Sequence, residues 1–168
     1  MRSILRTLTL LLLCLAVSST ARAAEDEFAL MSAERIGALR IQLPESDVKK
    51  ALGEPGSRGK VVRSDADGKW VQQWSWPDKG VELCMESGRK AGPRKVGCIR
   101  ITAPSTFKTS RNIGIGSKLA DLKKAYAKEA NAEDSGDDHF VAGSLYGGVI
   151  FDIKDGRVST IFVGAAAE

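Results

Sequence analysis

The chain has 168 residues, 43% of them apolar and 27% charged, the balance of an ordinary globular domain rather than of a disordered or membrane-spanning chain. Its formal net charge of +4 points toward an anionic partner, but three arginines lie within the first 23 residues. Without them 22 basic residues face 21 acidic ones, a net of about +1, so charge makes no case for nucleic acid or an anionic membrane.

The chain opens as an export signal. Arg2 and Arg6 supply the positive start, and Leu8 to Val17 forms an apolar run too short to span a bilayer. Ser18, Ser19 and Thr20 end the run, and Ala21-Arg22-Ala23 places small residues where a signal peptidase reads, so cleavage is expected after Ala23. Cys14 follows Leu13, where lipidation would need a small residue, and is read as part of the signal core. The mature chain is then expected in the periplasm, or secreted, with no transmembrane anchor and a single cysteine pair, Cys84 and Cys98. In an oxidising compartment an even pair reads as a disulfide. A free or metal-binding pair is the alternative, with one histidine in the chain to complete a site.

Next comes a short helix. Pro44 suits its first position, Val48, Ala51 and Leu52 form an apolar face, Lys49 and Lys50 are solvated, and Gly53 and Pro55 end it. A strand follows over Trp70–Trp76, then a turn at Asp78-Lys79-Gly80. Pairing Cys84 with Cys98 sets Leu83 opposite Ile99 and Val81 opposite Ile101 on an apolar face. It also sets Glu82 opposite Arg100 on the other face, as a salt bridge beside the disulfide. Pro104 to Ser110, rich in Thr and Ser, reads as a linker.

Beyond the linker the pattern recurs. Shifted by 74 residues, Ile41–Leu52 lies over Ile115–Tyr126, with Asp, Lys, Lys and Ala identical and the apolar positions kept. Gly80–Met85 likewise matches Gly148–Ile153. Ser117 is the expected N-cap of the second helix, with Leu119, Leu122, Ala125 and Tyr126 inward and Lys123 and Lys124 solvated. Asp155-Gly156 marks a hairpin. A three-residue loop with a glycine bulge would set Phe151 opposite Ile161 and Val149 opposite Val163, the register preferred over a two-residue turn that sets Phe151 opposite Thr160. The expected fold class is α+β, two tandem repeats each with a short helix on an antiparallel sheet, over 24–105 (with the disulfide) and 106–168.

The string Ile41 to Pro55, with its Asp47-Val48, Leu52 and Gly53-Glu54-Pro55, resembles the small outer-membrane lipoprotein domain of the β-barrel assembly machinery. Gln42 stands where that domain usually has glycine, and Ala127 and Lys128 fall where its Gly-x-Pro would recur in the second unit. A tandem of two such units with a disulfide and an export signal is similar to the β-lactamase inhibitory protein architecture. The resemblance implies that fold and a binding role; fold alone does not set function.

Catalytic signatures are weak. His139 follows Glu133, Asp134, Asp137 and Asp138, whose spacing does not match a calcium loop; a solvated acidic loop explains it. There is no nucleophile elbow, phosphate loop or dinucleotide fingerprint, and Glu82 and Glu86 are explained by strand faces. No catalytic residue, metal ligand or cofactor is assigned. The candidate partner-binding residues are Trp70, Trp74 and Trp76, on one strand face by period two, and the basic hairpin tip of Arg89, Lys90, Arg94 and Lys95. The other reading of the tryptophans is core, and of the tip a solvated loop. The expected function is a non-catalytic periplasmic protein-binding module, an inhibitor, immunity or envelope-assembly accessory protein. Its partner would be a protein of the cell envelope or an exported toxin or enzyme. An envelope hydrolase or small-ligand-binding protein is the alternative.

Overall fold

The computed structural model describes residues 28–166. The export signal and its cleavage site lie outside the described residues. In chain order come α1 (Ala29–Ala33), α2 (Glu45–Leu52), β1 (Ser57–Arg58), β2 (Val62–Arg63), β3 (Trp70–Trp76), β4 (Val81–Ser87), β5 (Lys95–Thr102), α3 (Leu119–Ala125), β6 (Ala130–Asn131), β7 (His139–Ala142), β8 (Gly148–Lys154) and β9 (Arg157–Gly164). The class is α+β: one antiparallel sheet, ordered β1-β3-β4-β5-β9-β8-β7-β6 with β2 also on β3, and few helices. No helix among the described residues is long and apolar enough to cross a membrane.

Both main helices pack on the same sheet face. α2 buries Val48 and Leu52, while Ala51, expected inward, is exposed. Glu45 and Asp47 lie in its first turn and Lys49 and Lys50 in its last, the arrangement that suits the helix dipole. Pro44 is the extended residue before the helix, not its first member: its ψ is 149°. α3 begins after Lys118, one residue later than a Ser117 cap requires. The Ser117 hydroxyl instead accepts from the Gly114 amide at 3.0 Å and folds the approach loop on itself.

The first long hairpin adopts the register that side-chain alternation dictates. Cys84 pairs with Cys98, Leu83 with Ile99, Glu82 with Arg100 and Val81 with Ile101. The cysteines are bonded, their Cα atoms 4.9 Å apart. Between Cys84 and Met85 the register slips by one, which leaves Gly97 as the extra residue of a β-bulge. Glycine suits the bulge, because a Cβ there would overlap the Glu86 side chain.

In the second hairpin Phe151 faces Ile161 and Val149 faces Val163, as expected, but through a different device. Lys154 pairs with Arg157, so the turn has two residues, with Asp155 and Gly156 both left-handed at φ 52° and 70°. The register change comes from Ser159, the extra residue at a bulge between Asp152 and Ile153. A two-residue turn and the bulged register therefore coexist, because the bulge sits inside the ladder and not in the loop.

The approaches to α2 and α3 make backbone bonds of the same form. The Gln42 amide donates to Val96 O, and the Val96 amide to Leu43 O; the Gly116 amide donates to Val158 O, and the Val158 amide to Ser117 O. Glu45 N bonds Arg94 O, as Leu119 N bonds Gly156 O. Gly116 has φ 83° and Gln42, at the aligned position, φ 62°. A side chain in this left-handed backbone, as at Gln42, costs about 1–2 kcal/mol relative to glycine. β5 pairs with β9, Ile99 opposite Val163 and Ile101 opposite Ile161. One buried cluster runs from Val48, Trp76 and Leu83 to Leu122, Phe151 and Val163.

The segment expected to link the halves is held in place. Thr109 bridges Ile36, Phe107 packs on the core, and the Ser110 amide and hydroxyl both donate to the Glu34 carboxylate. Glu34 is 2% exposed, and its other oxygen accepts from the Tyr126 hydroxyl at 2.7 Å. Burial pushes this carboxyl up. The bonds from the Ser110 hydroxyl, the Arg35 amide and Tyr126 outweigh burial and leave it below its usual range.

Candidate protein-binding surface

Among the described residues α2 and α3 cover one face of the sheet, and the other, the open face, carries only α1, beside β8. On the covered side Trp74, Trp76, Leu83, Ile101, Phe151 and Ile161 are buried with α2 and α3. Along β4 the buried residues Val81, Leu83, Met85 and Ser87 alternate with half-buried Glu82, Cys84 and Glu86, so the disulfide lies on the open side. Gln73, Arg100 and Asp152 are exposed there, and Ser75, Thr102, Ile150 and Thr160 half-exposed. This face spans both halves through the β5–β9 pairing.

The tryptophan stripe is mostly core, which corrects its assignment as interface. Trp74 is 3% exposed and Trp76 2%. The Trp76 indole donates to Gly53 O at the end of α2, and that of Trp74 to Gln72 Oε1 at 3.0 Å. The Arg58 guanidinium lies 4.6 Å from the Trp74 ring centre and closes over it. The period-two face that groups these indoles points at α2, so neither can anchor a partner. Trp70, at the strand's start and beyond the helix, stays half-exposed, with Lys90 Nζ 5.5 Å from its ring centre.

Trp70 thus joins the basic tip. Arg89, Lys90 and Lys95 are exposed, and among the described residues none has a carboxylate within ion-pair distance. Arg94 is half-exposed and also supports the loop. Its guanidinium turns back to donate to Lys90 O at 3.0 Å and Gly92 O at 3.3 Å. Lys69 beside the tip is neutralised by Asp67 and then Glu86, which hold its ammonium above the usual lysine range.

The expected Glu82–Arg100 salt bridge is absent although the residues are register partners. Glu82 accepts from the Gln73 amide at 3.0 Å, and the Arg100 guanidinium stacks 5.0 Å from the Phe162 ring centre. Phe162 belongs to the open face but is only 9% exposed, partly beneath Arg100. A groove of about 440 Å³ is lined by the disulfide, Val71, Phe162, Ile41, Met31, Phe28 and Tyr146, with Asp67, Lys69 and Glu86 at its side. Phe28 is 42% exposed and Tyr146 57%, two large apolar surfaces on one groove. Sequence reasoning misses Phe28, Phe162 and this role for Tyr146. One signal is readable: Ile161-Phe162-Val163 breaks alternation and marks a strand apolar on both faces.

His139 lies at the end of β7, half-exposed, beside a shallow hollow of about 480 Å³ shared with Leu119 and Lys123. Its ring contacts Asp138 and the Asp134 carbonyl, not a nucleophile. Among the described residues no group of three or more His, Cys, Asp or Glu side chains is placed to hold a metal ion.

No protein-family model matches the chain, and neither a curated protein nor a solved structure matches it.

Proposed function

We propose that the chain is a non-catalytic protein-binding module of the cell envelope, exported to the periplasm and built from two copies of one helix-and-strands unit over 24–105 and 106–168. An inhibitor, immunity or envelope-assembly accessory role fits this reading. The likeness of Ile41–Pro55 to the β-barrel-assembly lipoprotein domain supports it, as do the recurrent contacts at Gln42–Val96 and Gly116–Val158.

The observation that carries the binding role is the open sheet face. It runs from β4 and β5 onto β9, carries a groove of aromatic and apolar groups beside the Asp67, Lys69 and Glu86 charges, and is covered by neither α2 nor α3. Aromatic groups in a partly desolvated groove with a charged rim are the anatomy of an interface. Arg89, Lys90 and Lys95 would steer an acidic partner, and the groove of Phe28, Tyr146 and Phe162 would hold it.

The test is affinity capture from an envelope extract, with mass spectrometry. Tyr146→Ala with Arg89→Ala, Lys90→Ala and Lys95→Ala is expected to change stability by no more than about 0.5 kcal/mol for each substitution, since these are surface positions. A specific protein captured by the parent chain should be lost by this variant. Equal capture by both, at equal melting temperature, would remove the groove and tip from the interface.

A further inference from the structure

His139 is the only histidine in the chain. Both of its ring nitrogens lie 2.8 Å from an acceptor, Nδ1 from Asp138 Oδ1 and Nε2 from the Asp134 carbonyl oxygen. A neutral imidazole has a single N–H, whereas imidazolium donates from both nitrogens. The arrangement is satisfied in full only by the protonated ring. We propose that protonated His139 is a clamp on the acidic 131–139 loop, and that deprotonation loosens this loop within a folded protein.

The loop is otherwise anchored at its start. Asn131 Oδ1 accepts from the Glu133 and Asp134 amides, and Asn131 Nδ2 donates to Gly143 O. Ser135 Oγ donates to Asn131 O and accepts from the Val141 amide. Asn131 Nδ2 also donates to Asp134 Oδ2 at 2.9 Å, and the Ile153 amide of β8 donates to Asp138 O. Beyond the Ser135 bond to β7, the bond from the Gly136 amide to His139 O and the imidazole contact with Asp134 tie the tip to β7. On loss of a proton the remaining N–H stays with the anionic acceptor, the stronger partner. The Nε2 lone pair then faces the Asp134 carbonyl, and that tie opens.

The surrounding charges favour the clamped form. Asp138 adjoins the ring, Asp152 of β8 is its cross-strand partner, and Glu133, Asp134 and Asp137 belong to the same loop. Among the described residues that line the hollow, Lys123 of α3 is the one cation. The bond to Asp138 chiefly, with lesser help from Asp134 O and Asp152, holds the imidazole above its ordinary value. A raised folded value places the clamp's full contribution below the unfolded value of about 6.5; it is lost as pH rises through the folded value.

A nuclear magnetic resonance titration of the purified protein tests this, because its one histidine gives one set of ring signals. The expected midpoint lies above about 6.5, with the Nδ1–H tautomer at high pH. Amide shifts of residues 134–136 should follow the same midpoint. After correction for intrinsic exchange, protection of the Gly136 amide should fall several-fold above it. Asp138→Asn should lower the midpoint, and His139→Gln should make loop protection independent of pH. A midpoint at or below about 6.5, or loop amides that ignore the histidine titration, would overturn the clamp.

Discussion

The β4–β5 and β8–β9 hairpins have the same ladder and different fasteners. In each, an extra residue bulges at the same distance from the central pair, Gly97 two residues before Ile99 and Ser159 two before Ile161. Cys84–Cys98 in the first therefore occupies the position of Asp152–Thr160 in the second. The first hairpin runs through the long tip from Gly88 to Arg94, while the second closes at Asp155-Gly156. A long loop costs more entropy to close than a two-residue turn, and the covalent bond offsets that cost. The helix ends differ in the same sense. Leu52 ends α2 as a purely apolar contact, whereas Tyr126, at the aligned position after α3, packs on Phe151 and reaches Glu34. The β4–β5 hairpin is fastened by a disulfide and the β8–β9 hairpin by a tight turn, while the Glu34 carboxylate ties α1 to Ser110 and Tyr126.

Removing the disulfide should have the largest effect. Cys84→Ser with Cys98→Ser is expected to cost about 3 kcal/mol, the magnitude for a loop of this size. Native-state hydrogen exchange should show greater loss of protection in β4 and β5 than in β7 and β8. Thiol titration of the mature chain, denatured without reductant, should find no free cysteine. Two reactive thiols, or equal loss in both halves, would break the comparison.

The buried carboxylate comes second. Glu34→Gln is expected to cost about 2 kcal/mol at neutral pH, the range for hydrogen bonds to a charged group. Because the folded carboxyl titrates below its unfolded value of about 4.3, its contribution is present above that pH and lost as pH falls through the folded value. Denaturant melts of parent and variant should therefore converge in acid. A gap that does not narrow below pH about 4 would show that the carboxylate's charge contributes nothing.

The smallest effect is expected at the tight turn. Gly156→Val places a β-branched residue at φ 70° with open space around it, so backbone strain alone should cost about 1–2 kcal/mol. Loss of protection should concentrate at Lys154 and Arg157, and the β4–β5 hairpin should be unchanged by amide exchange. Spread of the effect into β4 would mean that the two hairpins are not independently fastened.

Much of each hairpin is legible in the amino-acid sequence. Alternation in Val81–Met85 and Ile99–Ile101 leaves one register that puts every branched residue inward, and that register brings the cysteines together. Asp155-Gly156 announces its own turn because few residues accept two consecutive left-handed positions. The bulge at Ser159 is not legible, and is expected in the loop instead, because a polar residue in a ladder carries no mark of being unpaired. Trp74 and Trp76 illustrate a different limit. Period two groups them on one face, but whether that face meets solvent or a helix depends on where α2 lands.

The chain's own pattern thus determined the local units: the α2 and α3 segments, the paired strands, the turn and the Cys84–Cys98 bond. These rest on side-chain periodicity and backbone preference, which act between near neighbours. Tertiary structure alone decided that β5 would pair with β9, that Trp74 and Trp76 would be buried, that Arg94 would turn inward, and that Glu34 would meet Ser110 and Tyr126. Edge pairing uses backbone groups that every strand carries alike, and a buried polar contact is set by which distant segment arrives beside it.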